Sequence, residues 1–332
     1  MQDFLKRFWF IIIIALLFAF AIGYFIYDQS KDILRGKRVD GNDIVFEING
    51  QFITADDFYN KLFDEIGITA AYALIERAVV EQKGDLTADI ISEARIQADS
   101  TINSFKEYYG DDYERILRQA LNAVGYQNIE ELKDYFAHLF MLDELTITYL
   151  FENEQEYILP FLASSKPRKV SHILIAMDDP DNPTEEEQNR WDSAIEALEA
   201  GSSFEEVAKD YSDDTASAVD NGALGYMDAN TNFVPEFLDA ALALDSNNVL
   251  SAWIKTTYGY HLIRLDTSDL DDLREEDGFK NALISANGSA QQKMIWESAK
   301  SMGISFYEND TLYEQLENYI IGTEGEWSWK KH

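Results

Sequence analysis

Two short runs rich in β-branched and aromatic residues, Val170-Ser-His-Ile-Leu-Ile175 and Tyr258-Gly-Tyr-His-Leu-Ile-Arg-Leu265, each carry one of the four histidines in this 332-residue chain. Runs of that composition read as strands. A single strand histidine facing a core is ordinarily a structural residue satisfied by hydrogen bonds. Two of them in near-mirror strands bracket Tyr211-Ser-Asp-Asp214, Asn221-Gly-Ala-Leu-Gly-Tyr226 and Phe233-Val-Pro-Glu-Phe237, and so tie the whole stretch into one compact block.

Helix signals fill the space between the two strands. Thr184-Glu-Glu-Glu187 has the capping-box pattern and opens a helix that turns Trp191, Ala194, Ile195 and Leu198 inward and stops at Gly201. Ser203-Phe-Glu-Glu206 opens a second helix with Phe204, Val207, Ala208 and Tyr211 inside. A third helix is predicted from Pro235 to Leu244, and strands at Ala252–Thr256 and Tyr260–Leu265. The order is strand, helix, helix, short strand, helix, strand, strand.

This order and its short motifs resemble the parvulin family of peptidyl-prolyl isomerases over residues 168–266. The resemblance implies an α+β domain, a four-stranded antiparallel sheet flanked by helices, with no cofactor and no metal. It assigns His172 and His261 to the two active-site histidines and Asp214 to the family's cysteine-or-aspartate position. Thr256 falls at the hydroxyl position before the last strand. Leu224, Phe233 and Phe237 form the apolar wall for the proline ring, and Tyr258 joins them in binding substrate. The implied reaction is rotation about an X–Pro amide, with a barrier of ~18–20 kcal/mol. A twisted amide has lost resonance and is less dipolar than a planar one, so an apolar pocket lowers the cost of twisting. In this reading His172 and His261 are hydrogen-bonded to one another and orient the set, with Asp214 beside the substrate carbonyl.

The chain departs from the family pattern in two places. Asn221-Gly222-Ala223 stands where two glycines are common, and the Asp214–Gly222 loop is about a residue longer than in compact relatives. Either change could shift Asp214 relative to the histidines. The first strand-to-helix loop, Ala176 to Glu187, holds six acids and no base, which excludes a phosphoserine-directed site. These acids lack the ligand spacing of an EF-hand and read as a solvated loop running into a helix cap.

Outside the block, Phe8 to Tyr27 is a run without a charged side chain, preceded by Lys6 and Arg7. About twenty residues at ~1.5 Å each suit a ~30 Å hydrocarbon core. Ala19-Phe-Ala21 resembles a signal-peptide cleavage site, but the run continues past it and favours an uncleaved anchor within residues 1–30. Lys31, Arg35, Lys37 and Arg38 oppose the orientation set by Lys6 and Arg7. Long downstream domains translocate regardless of loop charge, which places the main body on the extracytoplasmic side as a single-pass envelope protein. A net charge of −34, from 61 acids against 27 bases, argues against a nucleic-acid partner. With no cysteine, disulfides and thiolate metal sites are impossible.

Residues 43–165 read as a strand, Ile44–Gly50, then helices beginning at Thr54; residues 278–322 read as helix, a strand at Ile304–Tyr307, and a last helix. Both ends are expected to build one helical lobe around the inserted block. His138, between Phe136 and Phe140, reads as structural, and the Trp327–His332 tail either touches a membrane surface or is disordered. The whole layout resembles the PrsA/SurA class of extracytoplasmic foldases. That resemblance implies unfolded, proline-containing exported polypeptides as partners and leaves room for a homodimer through the helical lobe. The competing reading is a non-catalytic holdase whose parvulin block is only a binding scaffold.

Overall fold

The computed structural model describes residues 37–39, 41–307 and 309–322, so the apolar run at 8–27 and the tail at 327–332 lie outside the described residues. Among the described residues no helix is long and apolar enough to cross a membrane. The described residues divide into two compact units, split between Ala73 and Leu74.

In the first unit, β1 (Lys37–Val39), β2 (Asn42–Ile48) and β3 (Gln51–Thr54) form an antiparallel sheet in that order. Asn49 and Gly50 join β2 to β3, both at positive φ (49° and 81°), the backbone that a two-residue hairpin turn needs. Thr54 caps α1 (Ala55–Leu62): its hydroxyl accepts from the Asp57 amide and the Asp57 carboxylate accepts from the Thr54 amide. A π-helical turn, Phe63–Gly67, follows. Ile44 is buried here, whereas Phe46, Ile48, Tyr59 and Ile66 are exposed.

The second unit contains most of α2 (Ile68–Lys83) and then α3 (Ala88–Tyr109), α4 (Tyr113–Ala123), α5 (Leu132–Glu152) and α6 (Glu154–Ser165). Beyond the central block come α11 (Leu270–Leu273), α12 (Asp277–Ala286), α13 (Ala290–Ser301) and α14 (Asp310–Ile321). One core joins the two sets: Ile147, Leu150, Ile158 and Phe161 from α5 and α6 pack with Leu273, Phe279 and Leu283 from α11 and α12. His138 on α5 lies 3.6 Å from the Glu76 carboxylate on α2. The strand expected at Ile304–Tyr307 does not form. Gly303 and Tyr307 both take positive φ (81° and 45°), and the Ile304 amide turns back onto the Ala299 carbonyl at 3.1 Å, so the segment wraps the end of α13 instead of extending.

Between these helices sits the expected four-stranded antiparallel sheet, in the order β5-β4-β7-β6. Its strands are β4 (Arg168–Ala176), β5 (Ala223–Met227), β6 (Ile254–Thr256) and β7 (Gly259–Thr267). Its helices are α7 (Glu185–Glu199), α8 (Phe204–Tyr211), the short α9 (Thr215–Ala218) and α10 (Pro235–Ala243). Strand alternation divides the apolar residues between two faces. Ile173, Ile175 and Leu262 face α7 and α8, meeting Ala194, Phe204, Val207 and Ala208. Val170, Ile263 and Leu265 belong with Phe237 and Ala241 of α10. Burying each such aliphatic chain is worth about 1.5–3 kcal/mol.

Arg168 is buried and has no carboxylate partner among the described residues. Its guanidinium donates to the Ala241 and Leu244 carbonyls at 2.7 and 2.8 Å, at the C-terminus of α10, and to the Lys166 carbonyl at 3.0 Å. A cation at a helix C-terminus is well placed against the dipole.

Phe279 touches Phe151 and Phe161 of the helical set and Tyr226 of β5, with centroids 6.4, 5.6 and 6.4 Å away. Phe279→Ala should therefore cost about 3–5 kcal/mol of stability, read as a lowered urea midpoint.

Candidate active site

The polar residues converge because of how β4 satisfies its amides on the β5 side. Beyond Ser171 the ladder to β5 ends, and three amide donors of β4 find partners elsewhere. The His172 amide donates to the Gly222 carbonyl at 2.8 Å, the Leu174 amide to the Ser212 hydroxyl at 3.1 Å, and the Ala176 amide to the Asp213 carboxylate at 2.8 Å. The Asp213 amide returns a bond to the Leu174 carbonyl at 2.7 Å. The Tyr211–Asp214 segment is thus laid along β4 in place of a strand, which carries Asp214 to His172. Gly222 is required for this approach: at φ +84°, a Cβ there would stand 2.4 Å from the His172 carbonyl oxygen.

Across the β4–β7 ladder, His172 pairs with Ile263 and Leu174 with His261, so both imidazoles project from one face of the sheet. Their rings lie 22° from parallel, with Nδ1 to Nδ1 at 3.3 Å. His172 Nε2 is 2.7 Å from Asp214 Oδ2, and His261 Nε2 is 2.9 Å from Thr256 Oγ1. The Tyr258 amide donates to Thr256 Oγ1 at 3.1 Å, and the Ser217 hydroxyl donates to Asp214 Oδ2 at 2.6 Å.

One set of protons satisfies every one of these contacts. An ionised Asp214 accepts from Ser217 and from His172 Nε2–H. His172 Nδ1 is then the acceptor for His261 Nδ1–H, and His261 Nε2 accepts the Thr256 hydroxyl proton. Both imidazoles are neutral in this arrangement, with tautomers assigned from the hydrogen-bond network. The electrostatics agree. Burial pushes His172 below the usual histidine range against the pull of Asp214, and burial together with the neighbouring His172 takes His261 down to about 4. Burial pulls the Asp214 carboxyl upward, but donation from Ser217 and His172 holds it below its ordinary value.

Phe237 stands nearly perpendicular to both imidazoles, at 83° and 79°, with centroids 5.6 and 5.3 Å away, and Phe233 packs against it at 4.9 Å. Leu224 joins the same cluster half-buried. Asp214 is the accessible member of the polar set, its side chain 27% exposed against 8% for His172. Within the Asp214–Gly222 loop Thr215–Ala218 form α9, and the Asp214–His172 bond is in place. The Tyr258 ring is exposed, and what Tyr258 gives the polar chain is its backbone N–H. Ser217 was missed in the sequence: its spacing three residues after Asp214 is that of an ordinary helix start. No group of His, Asp and Glu among the described residues could hold a metal ion.

Residues 162–268 match the family model of the PPIC-type PPIASE domain, so this stretch is a parvulin-type domain. Over a longer span the chain is similar to proteins named Foldase protein PrsA. That of Geobacillus kaustophilus is 26% identical over 278 residues, covering 82% of this chain and 89% of the relative. That of Halalkalibacterium halodurans is 27% identical over 259 residues, covering 76% and 73% respectively. The crystal structure of PrsA from Bacillus subtilis is 20% identical, covers 81% of this chain and 96% of that one, and aligns with a TM-score of 0.36.

The lowered histidines carry a stability consequence. As pH falls, the unfolded chain takes up imidazole protons near its ordinary value of about 6.5, while the folded chain resists until about 4 at His261. Stability present above about pH 6.5 is therefore lost between about 6.5 and about 4, and the depressed Asp214 adds its own loss only lower still. Urea midpoints measured across that window should fall, and His261→Gln should flatten the fall.

Proposed function

We propose that the chain is a membrane-tethered foldase working on the extracytoplasmic side, isomerising X–Pro bonds in exported polypeptides at the His172–Asp214–Thr256–His261 set. The observation that carries the catalytic part is that an accessible carboxylate, Asp214, bonds the same imidazole that the apolar ring of Phe237 abuts. A proline ring against Phe237, Phe233 and Leu224 sets its amide beside Asp214. In the planar amide, resonance puts partial negative charge on the carbonyl oxygen, and this charge diminishes as the bond twists. A neighbouring carboxylate therefore opposes the planar form more than the twisted one. For a change of roughly a quarter charge at about 4 Å and an effective dielectric of about 20, the difference is about 1 kcal/mol. The apolar wall adds to it by replacing water that would solvate the planar dipole better than the twisted one. The buried His172–His261–Thr256 chain holds Asp214 and takes no proton from substrate, since no bond is made or broken.

Client holding is assigned to the flanking lobe, residues 43–165 and 278–322, with the isomerase domain between. Supporting this assignment, a groove of about 310 Å³ in the second unit is lined by Leu74, Ile75, Ala78, Val79, Met302 and Ile304. Apolar side chains are also exposed at Phe46, Ile48, Tyr59 and Ile66. Exposed apolar surface of this kind suits extended, unfolded chain. The tether is residues 8–27, on the strength of their length and apolar composition.

Asp214→Ala, His172→Ala and Phe237→Ala should each lower kcat/KM for isomerisation of a short proline peptide by about tenfold or more, while suppression of client aggregation persists. Equal rates in wild type and all three variants would instead leave a holdase with an inert isomerase domain.

A further inference from the structure

Asp214 occupies the N-cap position of α9, where an aspartate ordinarily turns its carboxylate back to cap the amide three residues on. Here its side chain makes no full capping bond, and the Ser217 amide acts on the carboxylate only as the weakest of its donors. The residue three positions on reverses the usual bond: the Ser217 hydroxyl donates to Asp214 Oδ2 at 2.6 Å, the same oxygen that His172 Nε2 approaches at 2.7 Å. Ser217 is buried, and the other acceptor of its hydroxyl is the Asp214 backbone carbonyl at 3.3 Å. Oδ2 thus holds two side-chain donors, whereas Oδ1 receives no side-chain donor from the described residues. A carboxylate otherwise able to rotate is thus pinned through one oxygen, on a side chain that is 27% exposed.

We propose that Ser217 is a positioning residue of the isomerase site: it locks Asp214 Oδ2 beside His172 and so aims Oδ1 at the substrate amide. This rests on the reading of Asp214 as the substrate-facing group. The groups facing the Asp214 carboxylate are few. Ser217 comes from its own helical turn, His172 from β4, and His261 stands behind His172 on β7. Neighbouring Asp213 is engaged by Arg190 and the Ala176 amide. Losing the Ser217 donor should therefore act on Asp214 in isolation, raising the pH at which it protonates.

The test compares full-length wild type with Ser217→Ala in two measurements: the pH dependence of kcat/KM on a proline peptide, and the carbon-13 carboxyl titration of Asp214 by NMR. The expected result is an acid limb moved to higher pH, a loss of about tenfold on that limb, and an Asp214 titration moved the same way. Ser217→Cys, close in size but a weak donor, should shift both in the same direction and serves if the alanine variant does not fold. An Asp214 titration left unmoved overturns the proposal and leaves the catalytic reading of Asp214 untouched. A titration that moves while the acid limb stays put overturns it too, and does so by removing Asp214 from the rate. A uniform loss at every pH with the limb unmoved marks Ser217 as merely structural and likewise overturns it.

Discussion

The contact between His172 Nδ1 and His261 Nδ1, 3.3 Å apart, has room for one proton and no more. Two protons there would face each other at hydrogen-bond distance, and none would leave two lone pairs opposed. That single proton fixes everything on either side. With an ionised Asp214 as acceptor the proton belongs to His261, so His172 donates outward through Nε2 to Asp214 and His261 accepts through Nε2 from the Thr256 hydroxyl. A backbone amide closes one end and a buried serine hydroxyl the other. The buried polar atoms are satisfied without any buried net charge, and the single formal charge stands at the accessible end. A half-satisfied network in this position would cost more than an apolar core.

The sheet and the helices around it keep that chain short. β4 and β7 are the two central strands, and each contributes one imidazole from the same face. Gly222 lets the β5 end approach the His172 backbone, and Gly259, at φ +133°, lets β7 turn where a Cβ would stand 2.1 Å from the Ile175 carbonyl. α10 then closes the face with Phe237, whose ring abuts both imidazoles and forms the apolar wall beside them. The isomerisation we propose draws on these parts alone: an apolar hollow, one oriented charge, and no mobile proton.

Much of this was legible in the sequence because the signals are local. Thr54, Thr184 and Ser203 each announce a helix start through an acid three residues later, and all three form reciprocal caps. The histidines, Asp214, Thr256 and Phe237 could be brought together by family resemblance, and their placement follows from strand pairing. Ser217 was not legible, since Asp-x-x-Ser is an ordinary helix opening and only the diversion of Asp214 toward β4 changes its meaning. The Ile304–Tyr307 run was misread for the opposite reason. Its residues favour a strand, but no neighbouring strand offers a ladder, and positive φ at Gly303 and Tyr307 turns it around a helix end. The Tyr258 ring, assigned to substrate by the resemblance, is exposed, and its backbone amide enters the network.

Arg168 sets where this domain can be cut. Its guanidinium holds the end of the wall helix and reaches back to the Lys166 carbonyl, and one residue earlier the Ser165 carbonyl accepts from the Ala229 amide at 2.8 Å. The seam between lobe and isomerase is therefore stitched on both sides of Pro167. A fragment that opens at the first strand residue would strip away the carbonyls at 165 and 166 and leave the arginine at a frayed end. An autonomous domain has to carry the last turn of α6 along with the sheet it precedes.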